Sequence, residues 1–340
     1  MASRFGAAAA AATAATANPE QVLFTARLNN IRPLVNMLRT ICFRPRASCA
    51  INAGGLVFTV EEAQSIVAQA YLRTDLFSAF NYNIALAKEQ LADQNQDAEP
   101  ANDDDENTTH IALPLDSLIE CLMLFYGPSG TAAGGPGGAH GGSSGIQSTS
   151  AMLTGGNPMD LRGASIAHIA FNGLGSDFEL MLEERGVISV CRMATFYPES
   201  PVDLDFSRFP VVQQLIIRSE WLRDAFNELD PTSEAVAIAI SATAPYFRIS
   251  TVGDNGSTEM TYSKDERILD SFFCSEEQEN RYKLSLILRC RQALALSDKT
   301  KIRVNQRGFL SFQFMIPTDA DVSFVNFLYA PLVHANELEH

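Results

Sequence analysis

The chain has 340 residues, 46% of them hydrophobic, a formal net charge of −15, a pI near 4.7 and a mean hydropathy of −0.01. That length and composition predict a globular α+β-sized chain of two domains. The acidic charge excludes a protein that grips nucleic acid by bulk positive charge, so any DNA contact must rest on a local basic surface or on topology.

Residues 1–19 are rich in Ala and Thr with Arg4 as the one basic residue, which reads as a disordered tail and not as a signal peptide. No segment has the length of a membrane span. A first domain is predicted over residues 20–193. It opens with a strand at 23–28 and a helix at 31–42. In that helix Ile31, Leu34, Val35, Leu38, Ile41 and Cys42 share one face, and Arg32, Asn36 and Arg39 share the other. Pro33 suits the first turn, where its missing N–H costs nothing. Strands at 48–52 and 56–60 flank a Gly54-Gly55 turn, a hairpin signal, and an extended segment follows at 66–73. Residues 88–110 carry the run Asp103-Asp104-Asp105-Glu106 and read as a solvated acidic loop. A short helix is predicted at 114–125, a flexible Gly-rich insertion at 127–163, and a three-stranded meander at 165–171, 178–183 and 187–193.

A connector is predicted at 194–209, a second domain at 210–332 and a tail at 333–340. The second half repeats the plan: a strand at 202–206, a helix at 211–229, and strands at 235–241, 246–251 and 257–262. A short helix at 288–294 and a meander at 301–305, 309–316 and 322–329 complete it. Two helices and many antiparallel strands per half, with no alternation of strand and helix, predict an α+β fold. The longer helix of the second half carries Arg218 and Arg223 at its flanks, with Glu220 and Asp224 sharing its polar side. Trp221, the single tryptophan, falls at the helix margin, a position that fits packing better than base stacking. The densest basic cluster is Arg289 and Arg291, with Arg281 and Lys283 just before them.

Reactive chemistry is sparse. The six cysteines form no CxxC pair, and His110, His140 and His168 are scattered, so no metal site and no cofactor are expected. The cysteines sit in apolar text, which predicts reduced, buried thiols and an intracellular compartment. A nucleotide-binding loop with its lysine, a GxSxG elbow and an HExxH helix are absent. Asp203 and Asp205 are the best candidates for a metal-dependent nuclease, because alternation would put both on one strand face. An exposed strand edge is the favoured reading of that pair, so no catalytic residue is assigned and the chain is expected not to be an enzyme.

Longer stretches carry a family likeness. Phe24-Thr25-Ala26-Arg27-Leu28 before an amphipathic helix resembles the opening of the proliferating cell nuclear antigen family. Residues 217–230 (IRSEWLRDAFNELD), 245–253 (PYFRISTVG), 281–286 (RYKLSL), 305–312 (NQRGFLSF) and 43–49 (FRPRASC) resemble more closely the Rad-one subunit family of the nine-one-one checkpoint clamp. The resemblance implies a DNA-clamp fold of two similar domains, each with two helices on antiparallel sheets. It implies a heterotrimeric ring with Rad-nine-like and Hus-one-like subunits, placed around double-stranded DNA in the nucleus by a clamp loader. Repair and signalling proteins would bind its outer face. Arg32, Arg39, Arg218, Arg223, Arg289 and Arg291 are then expected to line the hole. Val187, Ser189, Cys191, Thr258, Met260 and Tyr262 are expected on the edge strands that join neighbours. A homotrimeric replication-type clamp and a 3′–5′ DNA exonuclease are the alternatives.

Overall fold

The computed structural model describes residues 22–94, 107–124, 166–184, 186–198, 204, 206–254, 256–318 and 321–332. The expectations for the two tails, for 127–163, for Asp103–Glu106 and for Asp203 and Asp205 fall outside those residues.

The first half runs β1 (Phe24–Leu28), α1 (Arg32–Ile41), β2 (Arg46–Asn52), β3 (Gly55–Glu62), β4 (Ile66–Arg73), β5 (Ala79–Tyr82), α2 (Ile84–Gln94), β6 (Thr109–Pro114), α3 (Leu115–Met123), β7 (Ile166–Phe171), β8 (Phe178–Glu184) and β9 (Val187–Met193). The second half runs β10 (Val211–Arg218), α4 (Ser219–Glu228), β11 (Ala235–Ile240), β12 (Phe247–Gly253), β13 (Gly256–Tyr262), β14 (Leu269–Cys274) and β15 (Gln278–Lys283). It ends with α5 (Leu284–Ile287), a 3₁₀ turn (Leu288–Cys290), α6 (Arg291–Leu296), β16 (Lys299–Asn305), β17 (Leu310–Pro317) and β18 (Val322–Tyr329).

The strands form three sheets: β5-β1-β7-β8-β9, β13-β12-β11-β15, and a nine-stranded sheet β14-β10-β16-β17-β18-β4-β3-β2-β6. Cut between β18 and β4, the long sheet becomes β14-β10-β16-β17-β18 and β4-β3-β2-β6. These repeat the two smaller sheets strand for strand, β1 to β9 matching β10 to β18. The chain is therefore a duplicated α+β unit whose copies are joined by one antiparallel ladder, β18 to β4, running from Phe324 opposite Tyr71 to Tyr329 opposite Ile66.

Local sequence explains the elements. α1 buries Leu34, Val35, Met37, Leu38 and Ile41 and exposes Arg32 and Arg39, as its 3.6-residue period requires. Pro33 occupies the first turn, and the Asn30 side chain accepts the Arg32 N–H at 3.0 Å. The Gly54-Gly55 hairpin forms as expected: Gly55 has φ +138, and a Cβ there would stand 2.1 Å from the Leu72 carbonyl oxygen, so no other residue fits without a backbone shift.

The helices form a layer on the sheets. α1 packs against α3 on one side and α6 on the other, and α4 packs against α6, giving the order α3-α1-α6-α4. Beneath them an aromatic core bridges the halves. Phe327 of β18 lies 6.4 Å from Phe43 and 5.8 Å from Phe314, and Phe312 lies 5.7 Å from Tyr329 and 6.3 Å from Phe226. The segment between β9 and β10 is held at Phe196 and at Phe206. Phe196 pairs with Ala112 of β6 under the Arg46 guanidinium, and the Phe206 carbonyl accepts the Asn305 side-chain N–H at 3.2 Å.

Several expectations are corrected. Residues 211–229 are not one helix: Val211–Arg218 is strand β10, and only Ser219–Glu228 is helical. The text VVQQLIIRSEWL satisfies both periods. Pairing decides, because β10 lies between β14 and β16, and β-branched Val and Ile fit that pleated surface. The strand expected at 202–206 is not found where it is described: Phe206 belongs to a 3₁₀ turn, Phe206–Arg208. Two ends of the segment 88–110, expected as loop, are regular: α2 extends to Gln94 and β6 begins at Thr109. The helix expected at 288–294 is the 3₁₀ turn followed by α6, with α5 just before it. β5, α2, β6, β14 and β15 carried no recognised signal.

Candidate functional site: the helical layer and the open sheet edges

The six arginines singled out in the sequence do not have equal freedom. Arg32 and Arg39 are exposed on the polar stripe of α1, with Asn36 between them. Arg223 is exposed on α4, sharing that surface with Glu220, Asp224 and Glu228. Arg218, also exposed, ends β10 where the chain turns into α4. Arg289 and Arg291 already have work inside the fold. Arg289 lies 3.5 Å from the Glu62 carboxylate and over the Phe43 ring, tying the second half to the first. Arg291 donates to the Phe226 carbonyl at 2.7 Å, satisfying a last-turn acceptor of α4. Opposite these, α3 exposes Asp116 and Glu120. The helical layer thus gathers the arginines but balances them with carboxylates, a surface suited to weak, mobile contact with phosphates and not to tight binding.

The duplication makes two sheet ends distinctive. β9 and β13 are the counterparts of β18 and β4, the strands that join the halves, yet each ends its own sheet. Their burial patterns are the same along all seven residues, exposed at the start and buried at the last. On β9, Val187, Ile188 and Val190 are exposed apolar side chains, while Ser189 and Cys191 pair with Leu182 and Leu180 and are half-buried. On β13, Thr258 and Met260 pair with Thr251 and Ile249 and are half-buried. Tyr262 is buried: its ring stacks on Phe247 at 5.4 Å, and its hydroxyl donates to the Trp221 carbonyl at 3.1 Å. Burial, with Asp224 nearby, pushes that phenol up to about 12, so it stays a donor at neutral pH.

The cysteines are free thiols, with Cys49 and Cys290 buried and the other four half-buried. Desolvation pushes Cys290 up to about 12 and Cys121, beside Cys191, up to about 11, which keeps them protonated and poor nucleophiles. Among the described residues no three His, Cys, Asp or Glu side chains are grouped to hold a metal ion.

Two copies of one nine-stranded unit joined edge to edge, with four helices layered across the joint, define a clamp fold of the kind found in proliferating cell nuclear antigen. Residues 23–316 match the family described as "Repair protein Rad1/Rec1/Rad17", and the chain belongs to that family. It is 34% identical to the mouse "Cell cycle checkpoint protein RAD1", with 92% of this chain and 93% of the relative covered. It is 28% identical to the Schizosaccharomyces pombe "DNA damage checkpoint control protein rad1", with 93% and 89% covered. It is also 21% identical, over 86% of this chain and 87% of the relative, to the Mycosarcoma maydis "DNA repair exonuclease REC1". That match overturns the expectation that the chain is not an enzyme: a sequence without a recognised catalytic motif aligns along most of its length with a protein named for nuclease activity.

Proposed function

We propose that this chain is a DNA-damage checkpoint clamp subunit that closes a ring around double-stranded DNA with two other clamp-fold subunits, Rad-nine-like and Hus-one-like. The observation that carries the reading is the duplication: the β18–β4 ladder joins the halves, and its counterparts β9 and β13 are left open at the ends of their sheets. An open edge offers unpaired backbone groups to another strand. In this reading domain one spans 20–193, domain two 210–332, and the connector 194–209. β9 takes a neighbour's β13-type edge through the region of Val187, Ser189 and Cys191. β13 takes a neighbour's β9-type edge along Thr258 and Met260, with Tyr262 supporting it from within.

The α3-α1-α6-α4 layer then faces the hole, with Arg32, Arg39, Arg218 and Arg223 free to meet phosphates and Arg289 and Arg291 holding the layer together. A ring retains DNA by topology, so the acidic net charge is no obstacle, and balanced charge on the lining leaves the ring able to slide. A clamp loader would open it at damaged nuclear DNA, and repair and signalling proteins would bind the outer sheets. The test is retention: the assembled ring, loaded onto circular DNA, is expected to survive high salt and to slip off when the circle is cut. Retention on cut DNA with free ends would overturn the topological reading.

A second reading, 3′–5′ DNA exonuclease activity, is favoured by the fungal relative's name. Asp203 and Asp205 are its candidates in this chain. Digestion of 3′-labelled DNA by the purified chain, abolished in an Asp203→Asn, Asp205→Asn double variant, would support it. Activity unaffected by the double variant would remove those two residues from the reading.

A further inference from the structure

Trp221 is the single tryptophan of the chain, and it is 40% exposed on α4. Its position is explained by comparing α4 with α1. Ile31, Leu34, Leu38 and Ile41 fall on Ser219, Leu222, Phe226 and Leu229, all buried in both halves. With that register, Trp221 and Glu228 stand where α1 has Pro33 and Thr40. Thr40 is 2% exposed and Pro33 half-buried, whereas Glu228 and Trp221 are exposed. The same flank of the helix is covered in the first half and open in the second.

The neighbours account for the difference. α1 is flanked by α3 and α6, and α6 reaches it across the β18–β4 joint. α4 has α6 on one side. Its other flank stands over the open edge of β13, as the Tyr262 hydroxyl on the Trp221 carbonyl fixes. On the far side of the duplication, α3 packs over β9, and Met123 at its end and Leu124 just after it are exposed. A clamp-fold neighbour that pairs its β9-type edge with β13 would therefore bring its α3-type helix toward Trp221.

We infer that Trp221 is the anchor of the β13-side subunit contact, seated against an apolar side chain on the helix that stands over the neighbouring clamp subunit's pairing edge. This rests on the ring reading above and adds to it the residue and the chemistry of the partner surface. A large aromatic at the centre of a desolvated contact is the residue type whose truncation costs most at protein interfaces. The two joints of the ring are then unlike: the one through β13 depends on Trp221 and the one through β9 does not.

The experiment uses the full chain carrying 5-fluorotryptophan, so that one ¹⁹F line reports Trp221, titrated with each of two clamp-fold partner subunits. The line is expected to move with the partner that occupies β13 and to stay put with the other. Trp221→Ala is expected to weaken the first complex by roughly thirtyfold and leave the second unchanged, with Trp221→Phe recovering part of the loss and unaltered thermal unfolding certifying the fold. If both partners bind while the line stays still, the inference fails and the ring reading stands. If the line moves only when duplex DNA enters the assembled ring, Trp221 faces DNA and the inference also fails. If neither partner forms a complex, the ring reading itself is lost, and the inference with it.

Discussion

Phe324 on β18 lies directly opposite Tyr71 on β4. Those two residues come from opposite halves of the chain, and the ladder they begin makes one sheet out of two units. Behind it, Phe327 is fully buried against Phe43, Phe314 and Tyr329. The joint is thus a core and not merely a hydrogen-bonded seam. Phe327→Ala should cost about 3–5 kcal/mol. Urea unfolding checks this, and a loss under about 1 kcal/mol, the scale of surface changes, would mean that the halves are stable apart.

Gln213 is a buried polar side chain on β10 with a structural task. Its Nε2 donates to the Ile240 carbonyl at 2.8 Å and the Glu276 carbonyl at 2.9 Å. It thereby closes the gap between the nine-stranded and four-stranded sheets. Gln213→Leu keeps the bulk but removes both amide donors and leaves the two carbonyls the weak Cys274 thiol donor alone, with an expected cost of about 1–3 kcal/mol. The midpoint of chemical denaturation at constant slope is the measurement.

The six arginines should separate into two classes. Arg291→Gln removes the partner of the Phe226 carbonyl and should destabilise the fold by about 1 kcal/mol, less than a buried charged bond because the side chain is exposed. Arg32→Glu with Arg39→Glu should leave the unfolding midpoint nearly unchanged and reduce loading on DNA. Thermal unfolding read beside a DNA-retention assay tests both halves of the contrast. Equal effects of the two changes on stability would erase the distinction.

His168 on β7 is half-buried, and its pKa is lowered, first by desolvation and then by the Arg27 guanidinium, with Glu183 opposing. The folded state therefore resists protonation more than the unfolded chain does. Stability should be level above the ordinary histidine range and fall as pH drops through about 6.5, where the unfolded chain takes up the proton first. In His168→Gln that part of the decline should vanish. Urea midpoints at pH 7.5 and 5.5 give the comparison, and an unchanged pH slope in the variant would remove His168 as its source.

Much of the fold could be read from the residues. The clean amphipathic stripe of α1, the Gly54-Gly55 hairpin and the two meanders gave strands and helix within a residue or two of their place. What was illegible was short or ambiguous. β15 reads QENRYK, and Tyr282 is its one buried apolar side chain, so alternation had nothing to show. β10 satisfied a helical period until its pairing with β14 and β16 was known. The arginines could be located by periodicity, but not their partners: Glu62 and Phe226 lie far from Arg289 and Arg291 in sequence, and only folding brings them together. The sequence suggests that Trp221 packs at the helix margin, but it is exposed, and the reason lies in the duplication and not in its neighbours along the chain.

The central claim is that β9 and β13 are two different joints of a three-subunit ring. Native mass spectrometry of this chain, mixed with a Rad-nine-like and a Hus-one-like subunit, tests it most directly. The account predicts one 1:1:1 species, with Val187→Glu, Val190→Glu on β9 releasing one partner and keeping the other. A stable homotrimer of this chain alone, or a heterotrimer indifferent to the β9 substitutions, would contradict it.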